Sequence, residues 1–293
     1  MNKYLIQAFE VAENTNVAAD FEPAISIDHI NVLVKGIKSL QELLGITSMK
    51  AMASGNVIKR WKTTVTKQSG KVAEGEVIPL SKTTRVALDP IALELKKYRK
   101  QTTAEAIQKN REIALNESDD LLMKDVRSEI VGDFYAIVNG GTGTATAGTG
   151  LQSAAAQVWG ALQVYYEDMD VTPVFFINPL DAAGYLANAA ISTQTTFGIR
   201  YIENFLGLGT AIINSRVTKG TVVGTAVENL NGAYVPAGGD TADIFGLTFD
   251  ESGLVGMTHG VNTNNASVDT LIMTGVKFYA EDVSGIFKSS FGA

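Results

Sequence analysis

The sequence predicts an α+β protein, and three stretches carry the prediction. Residues 57–66 alternate with a period of two, setting Val57, Lys59, Trp61, Thr63 and Val65 against Ile58, Arg60, Lys62, Thr64 and Thr66. β-branched and aromatic residues in that rhythm suit a strand. Leu122, Val126, Ile130, Phe134 and Ile137 follow one another at spacings of four, four, four and three, the stripe of a long amphipathic helix. Residues 151–268 then mix helical patterns with short buried runs such as Val174–Ile177, which describes an α/β body.

Composition limits what such a chain can do. Of its 293 residues 45% are hydrophobic, enough for a sizeable core. There is no cysteine, which excludes disulfides, thiolate metal sites and cysteine nucleophiles. No apolar run approaches the roughly 18 residues that span a bilayer. The N-terminal stretch meets Glu10 before an adequate apolar segment, so a secretory signal is not expected and synthesis in a cytoplasm is. The net charge is −7, but it is unevenly spread. Residues 56–100 hold 11 Lys/Arg against 4 Asp/Glu, and residues 141–268 hold 3 against 10. A basic ribbon and an acidic body on one chain suit self-association.

Taken in order, residues 1–55 read as an arm with one short helix, in which Ile27, Ile30, Val34, Ile37 and Leu40 keep helical spacing. Residues 56–86 form an extended β-hairpin. The first strand runs from Val57, Gln68-Ser69-Gly70 is the turn signal, and Val72 to Ile78 is expected to run back. Neither face is apolar enough to bury, and a two-stranded ribbon is marginal alone in water. It is therefore expected to lean on another copy of the chain through Lys59, Arg60, Trp61, Lys62, Lys67, Lys71, Glu74 and Glu76, the two glutamates sharing one face of the return strand.

Ile91, Leu93 and Leu95 alternate as a strand that leads into a basic cluster, Lys96, Lys97, Arg99 and Lys100, around Tyr98. Such a cluster faces a neighbouring subunit or the phosphates of DNA, or is simply a solvated strand end. Thr103 starts a short helix. Ser118 is placed to cap the long one, with Asp119 and Asp120 against its N-terminal dipole. Gly140-Gly141 ends it, and the Gly/Thr/Ala stretch 140–150 reads as a flexible linker. In the body, Asn178-Pro179 opens a helix running through Leu186, residues 191–200 are a polar loop, and Thr210–Asn214 and Thr221–Ala226 are strands. Asn229-Leu230-Asn231-Gly232 is a turn. Leu271 to Tyr279 is a late strand, expected to pair with the 91–99 strand beneath the long helix.

Catalytic chemistry is hard to place. His29 and His259 are the only histidines, far apart and outside any metal-ligand spacing. There is no G-x-S-x-G elbow. No catalytic, cofactor-binding or metal-binding residue is assigned, and no cofactor is expected. The 140–150 stretch follows a helix and lacks the Lys-Ser/Thr pair of a phosphate loop.

The succession of arm, basic ribbon, long helix, glycine stretch, α/β body and returning strand resembles the major capsid proteins of tailed double-stranded DNA bacteriophages, the Hong Kong 97-type fold. The stretches that carry the resemblance are GKVAEGEVIPLS (70–81), LELKKYRKQTTAEAIQK (93–109), NESDDLLMKDVRSEI (116–130), LGLGTAIINSRVTKGTV (206–222) and ENLNGAYV (228–235). The resemblance implies an N-terminal arm in 1–55, an extended loop in 56–86, a peripheral domain with a spine helix in 87–140 and 269–293, and an axial domain in 141–268. It implies pentamers and hexamers in an icosahedral shell around double-stranded DNA held by non-specific contact, in a virion assembled in a bacterial host's cytoplasm. The chain reaches the arm at once, so a separate scaffolding protein is expected beside a portal, and no membrane partner. Two alternatives stay open: an encapsulin-like compartment shell, and a nucleotide-binding enzyme using the 140–150 loop.

Overall fold

The computed structural model describes residues 15–16, 48–167, 169, 171–188, 194–196, 199–236, 244–249 and 254–292. The helix expected over 27–44 and His29 lie outside the described residues. Helix α1 spans Ala104–Lys109, α2 Ser118–Asn139, α3 Leu151–Tyr165 and α4 Pro179–Asn188.

Helix α2 is the spine, about 33 Å long at 1.5 Å per residue. Its stripe reaches the core as expected. Val126, Ile130, Phe134, Tyr135 and Val138 are buried, and Leu122 and Ile137 pack at the margin. Phe134 sits at the centre, its ring edge-on to Tyr135, Phe176 and Phe278 at 5.3, 6.0 and 5.4 Å, the preferred geometry for aromatic quadrupoles. Tyr135 is its neighbour on α2, while Phe176 and Phe278 come from different sheets, so this helix ties two sheets together.

Among the described residues the strands form three sheets and two small ribbons. The first sheet runs in the order Thr15–Asn16, Lys96–Thr103, Ser267–Thr274, Val255–Asn262, Thr248–Phe249. The late strand does return to the 91–99 region, antiparallel, with Leu271 opposite Arg99 and Thr274 opposite Lys96. Gly275 interrupts it, and Val276–Ala280 joins Leu230–Tyr234 and Ser48–Ala51 in a three-stranded sheet.

The third sheet has seven strands: Gln194–Thr196, Ile199–Phe205, Gly209–Ile213, Pro173–Ile177, Thr221–Ala226, Phe287–Ser290 and Gly143–Thr144. Its central strand explains the unbroken apolar run Val174-Phe175-Phe176-Ile177. Successive side chains point to opposite faces. Val174 and Phe176 meet the α2 core, while Phe175 and Ile177 meet α3 through Ala154, Ala155, Val158 and Leu162. A strand covered on both faces has no polar side to show.

Several expectations fail here for physical reasons. The return strand of the ribbon is Lys82–Ala87, paired with Trp61–Thr66 in the register Trp61↔Ala87 to Thr66↔Lys82. Residues 72–78 form no strand, because the Ala73–Glu76 turn, with Gly75 at φ 86°, interrupts them. Glu74 and Glu76 therefore lie in a turn and do not share a strand face. Ser118 does not cap α2, because a π-helical turn, Glu112–Glu117, runs into it and leaves no free N-terminus. The Ser118 hydroxyl turns back to the Ala114 carbonyl at 2.7 Å. Asn229–Gly232 is no turn: Leu230–Tyr234 is a strand, and a side chain on Gly232 would strike Met49. The expected 191–200 loop contains Gln194–Thr196, paired with Ile199–Tyr201.

The glycine stretch is not a free linker. Gly143–Thr144 pairs with Phe287–Lys288, and Gly148 bridges to Phe291. A Cβ on Gly141 would lie 2.4 Å from the Ile286 side chain, and one on Gly148 2.4 Å from the Ala154 nitrogen. These glycines allow close backbone approach. The seven-stranded sheet includes Phe287–Ser290, while Thr248–Phe249 and Val255–Asn262 belong to the first sheet.

Candidate functional site

Both strands of the ribbon are exposed along their whole length. Its root is tied down: Val57–Ile58 pairs with Ile91–Ala92, and Arg60 Nη1 donates to the Ala280 carbonyl at 2.7 Å. Arg60 is thus an anchor to its own subunit. Beyond it the Arg85 guanidinium stacks 4.8 Å from the Trp61 ring, a cation–π contact that braces the two strands against each other. Lys59, Lys62, Lys67 and Lys71 are exposed, as are Glu74 and Glu76. The loop between the strands carries Val77, Ile78 and Leu80, which are 92%, 73% and 90% exposed. Burial would stabilise each by roughly 1.5–3 kcal/mol. Sequence reading named the ribbon's charges and passed over this apolar tip, although VIPL is plain in the sequence.

The basic cluster is largely neutralised within the chain. Lys96 Nζ bonds Glu129 at 2.6 Å and Asp133 at 2.9 Å on α2. Burial works against the Lys96 charge, but those bonds outweigh it and raise its pKa. Burial and the bond to Glu129 push the Tyr98 phenol up to about 12. The bonds from Lys96 and Tyr98 in turn lower the Glu129 carboxyl. Arg99 pairs with Asp269 at 2.8 Å. Lys100 is buried and pairs with Asp119. Lys97 is exposed. Arg99, though paired, is exposed too, so these two are the members of the cluster left on the surface.

Asp119 is the residue the sequence reading misjudged most. Lys100, Thr270 and His259 lie in one row across three strands, by the register Lys100↔Thr270↔His259. The start of α2 sits over that row. Asp119 takes the Lys100 ammonium and the Thr270 hydroxyl (2.9 Å) on Oδ1, and His259 Nε2 lies 2.6 Å from Oδ2. A carboxylate only 4% exposed thereby has both oxygens engaged, as a buried charge requires. It locks the spine to the first sheet and points to no open site.

The glycine stretch makes no phosphate cradle. Its amides already serve the sheet: Thr142 donates to Val283, Gly143 to Ile286, Ala145 to Lys288 and Gly148 to Ser290. Among the described residues no group of three or more His, Asp or Glu could hold a metal ion, and no helix is long and apolar enough to cross a membrane.

No family model and no curated protein matches the sequence. Solved structures do. The capsid of the native GTA particle superposes with a TM-score of 0.60 over 96% of this chain and 100% of that one, at 13% identity. The fold is the Hong Kong 97-type capsid fold. A chain of Mycobacterium phage Patience matches with a TM-score of 0.53 over 98% of this chain and 95% of that one, at 10% identity. The holo-SrpI encapsulin complex of Synechococcus elongatus also scores 0.53, over 85% and 86%, at 12% identity. At such identities the likeness is one of fold.

Proposed function

We propose that this chain is a structural shell subunit, the major capsid protein of a phage-type particle, which self-assembles into pentamers and hexamers of an icosahedral head enclosing double-stranded DNA. The observation that carries the proposal is the ribbon. On a capsid fold it projects an apolar tip that its own subunit leaves uncovered, and in water that tip needs a second copy to rest on. The charge pattern suits the same arrangement, with +7 net over 56–100 and −7 over 141–268. Complementary patches guide register and encounter more than they add affinity. The role is structural and non-catalytic. Its partners are other copies of the chain, a separate scaffolding protein, a portal, and DNA held by non-specific contact, and its place is the virion.

Electron microscopy of the purified assembly, with nucleic-acid content read from absorbance, tests this. Closed particles that package DNA support it. Closed particles carrying a co-packaged protein and no DNA would assign the chain to an encapsulin-like compartment. A chain that stays monomeric with its scaffold present would overturn the shell reading.

A further inference from the structure

The ribbon does not leave its root in a straight line. Val57–Ile58 pairs with Ile91–Ala92, and Trp61–Thr66 pairs with Lys82–Ala87. Between the two ladders stand Lys59 and Arg60 on one side and Leu88, Asp89 and Pro90 on the other. Two residues opposite three make a bulge, which bends and twists a ribbon at that point. Pro90 has no backbone N–H to give and is tolerated in such a break. One backbone bond crosses it, from the Leu88 N–H to the Arg60 carbonyl at 3.0 Å. A root of two residue pairs and one bond across a bulge is too slight to hold the outer ladder at a fixed angle. Among the described residues, no hydrogen bond or ion pair joins 61–87 to a residue outside the ribbon.

The Arg60 side chain sits at that break. It is half-buried, and its Nη1 donates to the Ala280 carbonyl at 2.7 Å while Nη2 makes a longer bond, 3.5 Å, to the Asp89 carbonyl. Ala280 ends the strand Val276–Ala280, whose Val276, Phe278 and Ala280 lie in the α2 core. One guanidinium thus joins both sides of the bulge to the packed body. Arginine suits the task, because its planar, permanently charged fork makes several bonds in one fixed geometry. We infer that Arg60 is the positioning residue that fixes the angle between ribbon and body, and through that angle the uniform size of the shell. The part about size rests on the shell reading above. Thr66, at the far end of the outer ladder, lies about 20 Å beyond Arg60 at roughly 3.3 Å per residue. A swing of about 10° at the bulge moves that end by about 3.5 Å, enough to break apolar contacts made within about 4.5 Å. Copies whose ribbons arrive at one angle close at one curvature, and copies whose ribbons swing do not.

The chain has no cysteine, so spin labels can be placed at Thr66→Cys on the ribbon and Lys277→Cys on the body, both exposed positions. Pulsed electron paramagnetic resonance of dissociated, full-length subunits should give one narrow distance distribution. Adding Arg60→Ala should widen it at least twofold. A broad distribution with Arg60 present, or an unchanged width without it, overturns the inference. Should the alanine variant misfold by its far-UV spectrum, Arg60→Met keeps the apolar stem and removes only the donors, and the same widths decide. In assembly with scaffold present, the parent should build particles of one diameter in micrographs. The Arg60 variant should give a spread of diameters at least twofold wider, or no closed particles. Particles as uniform as the parent's overturn the role in shell size. A parent that forms no particles defeats the shell reading, and the distance widths still decide whether Arg60 holds the ribbon.

Discussion

Asp119 shows what one residue can hold. It joins α2 to three strands through Lys100, Thr270 and His259. Removing it leaves the buried Lys100 ammonium without its counter-charge. Asp119→Ala should cost about 3–5 kcal/mol, against less than about 0.5 kcal/mol for Asp120→Ala on the exposed side; urea denaturation of dissociated subunits measures both. The surface pairs respond to acid. Glu129 is held low by Lys96 and Tyr98. At Asp269 burial acts the other way, but the bonds from Arg99 and Gln101 outweigh it and lower that carboxyl too. Depressed folded values mean that folding favours the charged forms. Their stabilisation is complete above the unfolded range near pH 4 and is lost as pH falls through the lowered folded values. Glu129→Gln should flatten the fall of the urea midpoint below about pH 4; an unchanged slope would remove Glu129 from the explanation. None of these bonds was legible in the sequence. Lys96 and Glu129 are 33 positions apart and Asp119 and His259 are 140 apart, so the basic cluster looked free and Asp119 looked like a cap.

At the scale of elements, local pattern served well where burial is one-sided or complete. The stripe of α2, the run 174–177 and the Asn178-Pro179 start of α4 were all readable. Asn178 Oδ1 does accept from the Leu180 nitrogen at 3.0 Å. Pattern failed in the ribbon, because a wholly exposed strand has no buried face to fix its register. The true return strand, Lys82–Ala87, is exposed along its length. It failed again at the glycine stretch, where the packing partner Ile286 is more than 140 residues away. Gly141→Ala should destabilise by about 1–3 kcal/mol through that clash, detectable as a lowered Tm of dissociated subunits. In the ribbon, replacing Val77, Ile78 and Leu80 together by serine should leave the Tm of the subunit unchanged and reduce the yield of closed particles by at least tenfold. Normal particle yield would show that the apolar tip is not an adhesive surface.

Across the whole molecule, α2 packs between the seven-stranded sheet and the sheets built on 267–280, and the chain crosses between them at 227–231 and 281–286. The order of segments announced this architecture, but not which sheet each late strand joins: Thr248–Phe249 and Val255–Asn262 lie beside Ser267–Thr274 and Phe287–Ser290 lies in the seven-stranded sheet, because sheet membership is decided by long-range pairing. The molecule that results projects a basic ribbon from its packed sheets. In the proposed shell, contacts between the basic and acidic parts of different copies lie at the surface and are screened by salt, so raising NaCl from about 0.05 to 0.5 M, which shortens the Debye length from over 10 Å to under 5 Å, should slow assembly followed by light scattering. The most direct test of the account is a side-by-side electron-microscopic comparison of the full chain with a chain lacking 62–86, its root strands rejoined by an Asn-Gly turn. Closed shells from the full chain, and folded subunits without closed shells from the shortened one, are the predicted result. Normal closed shells from the shortened chain would contradict it.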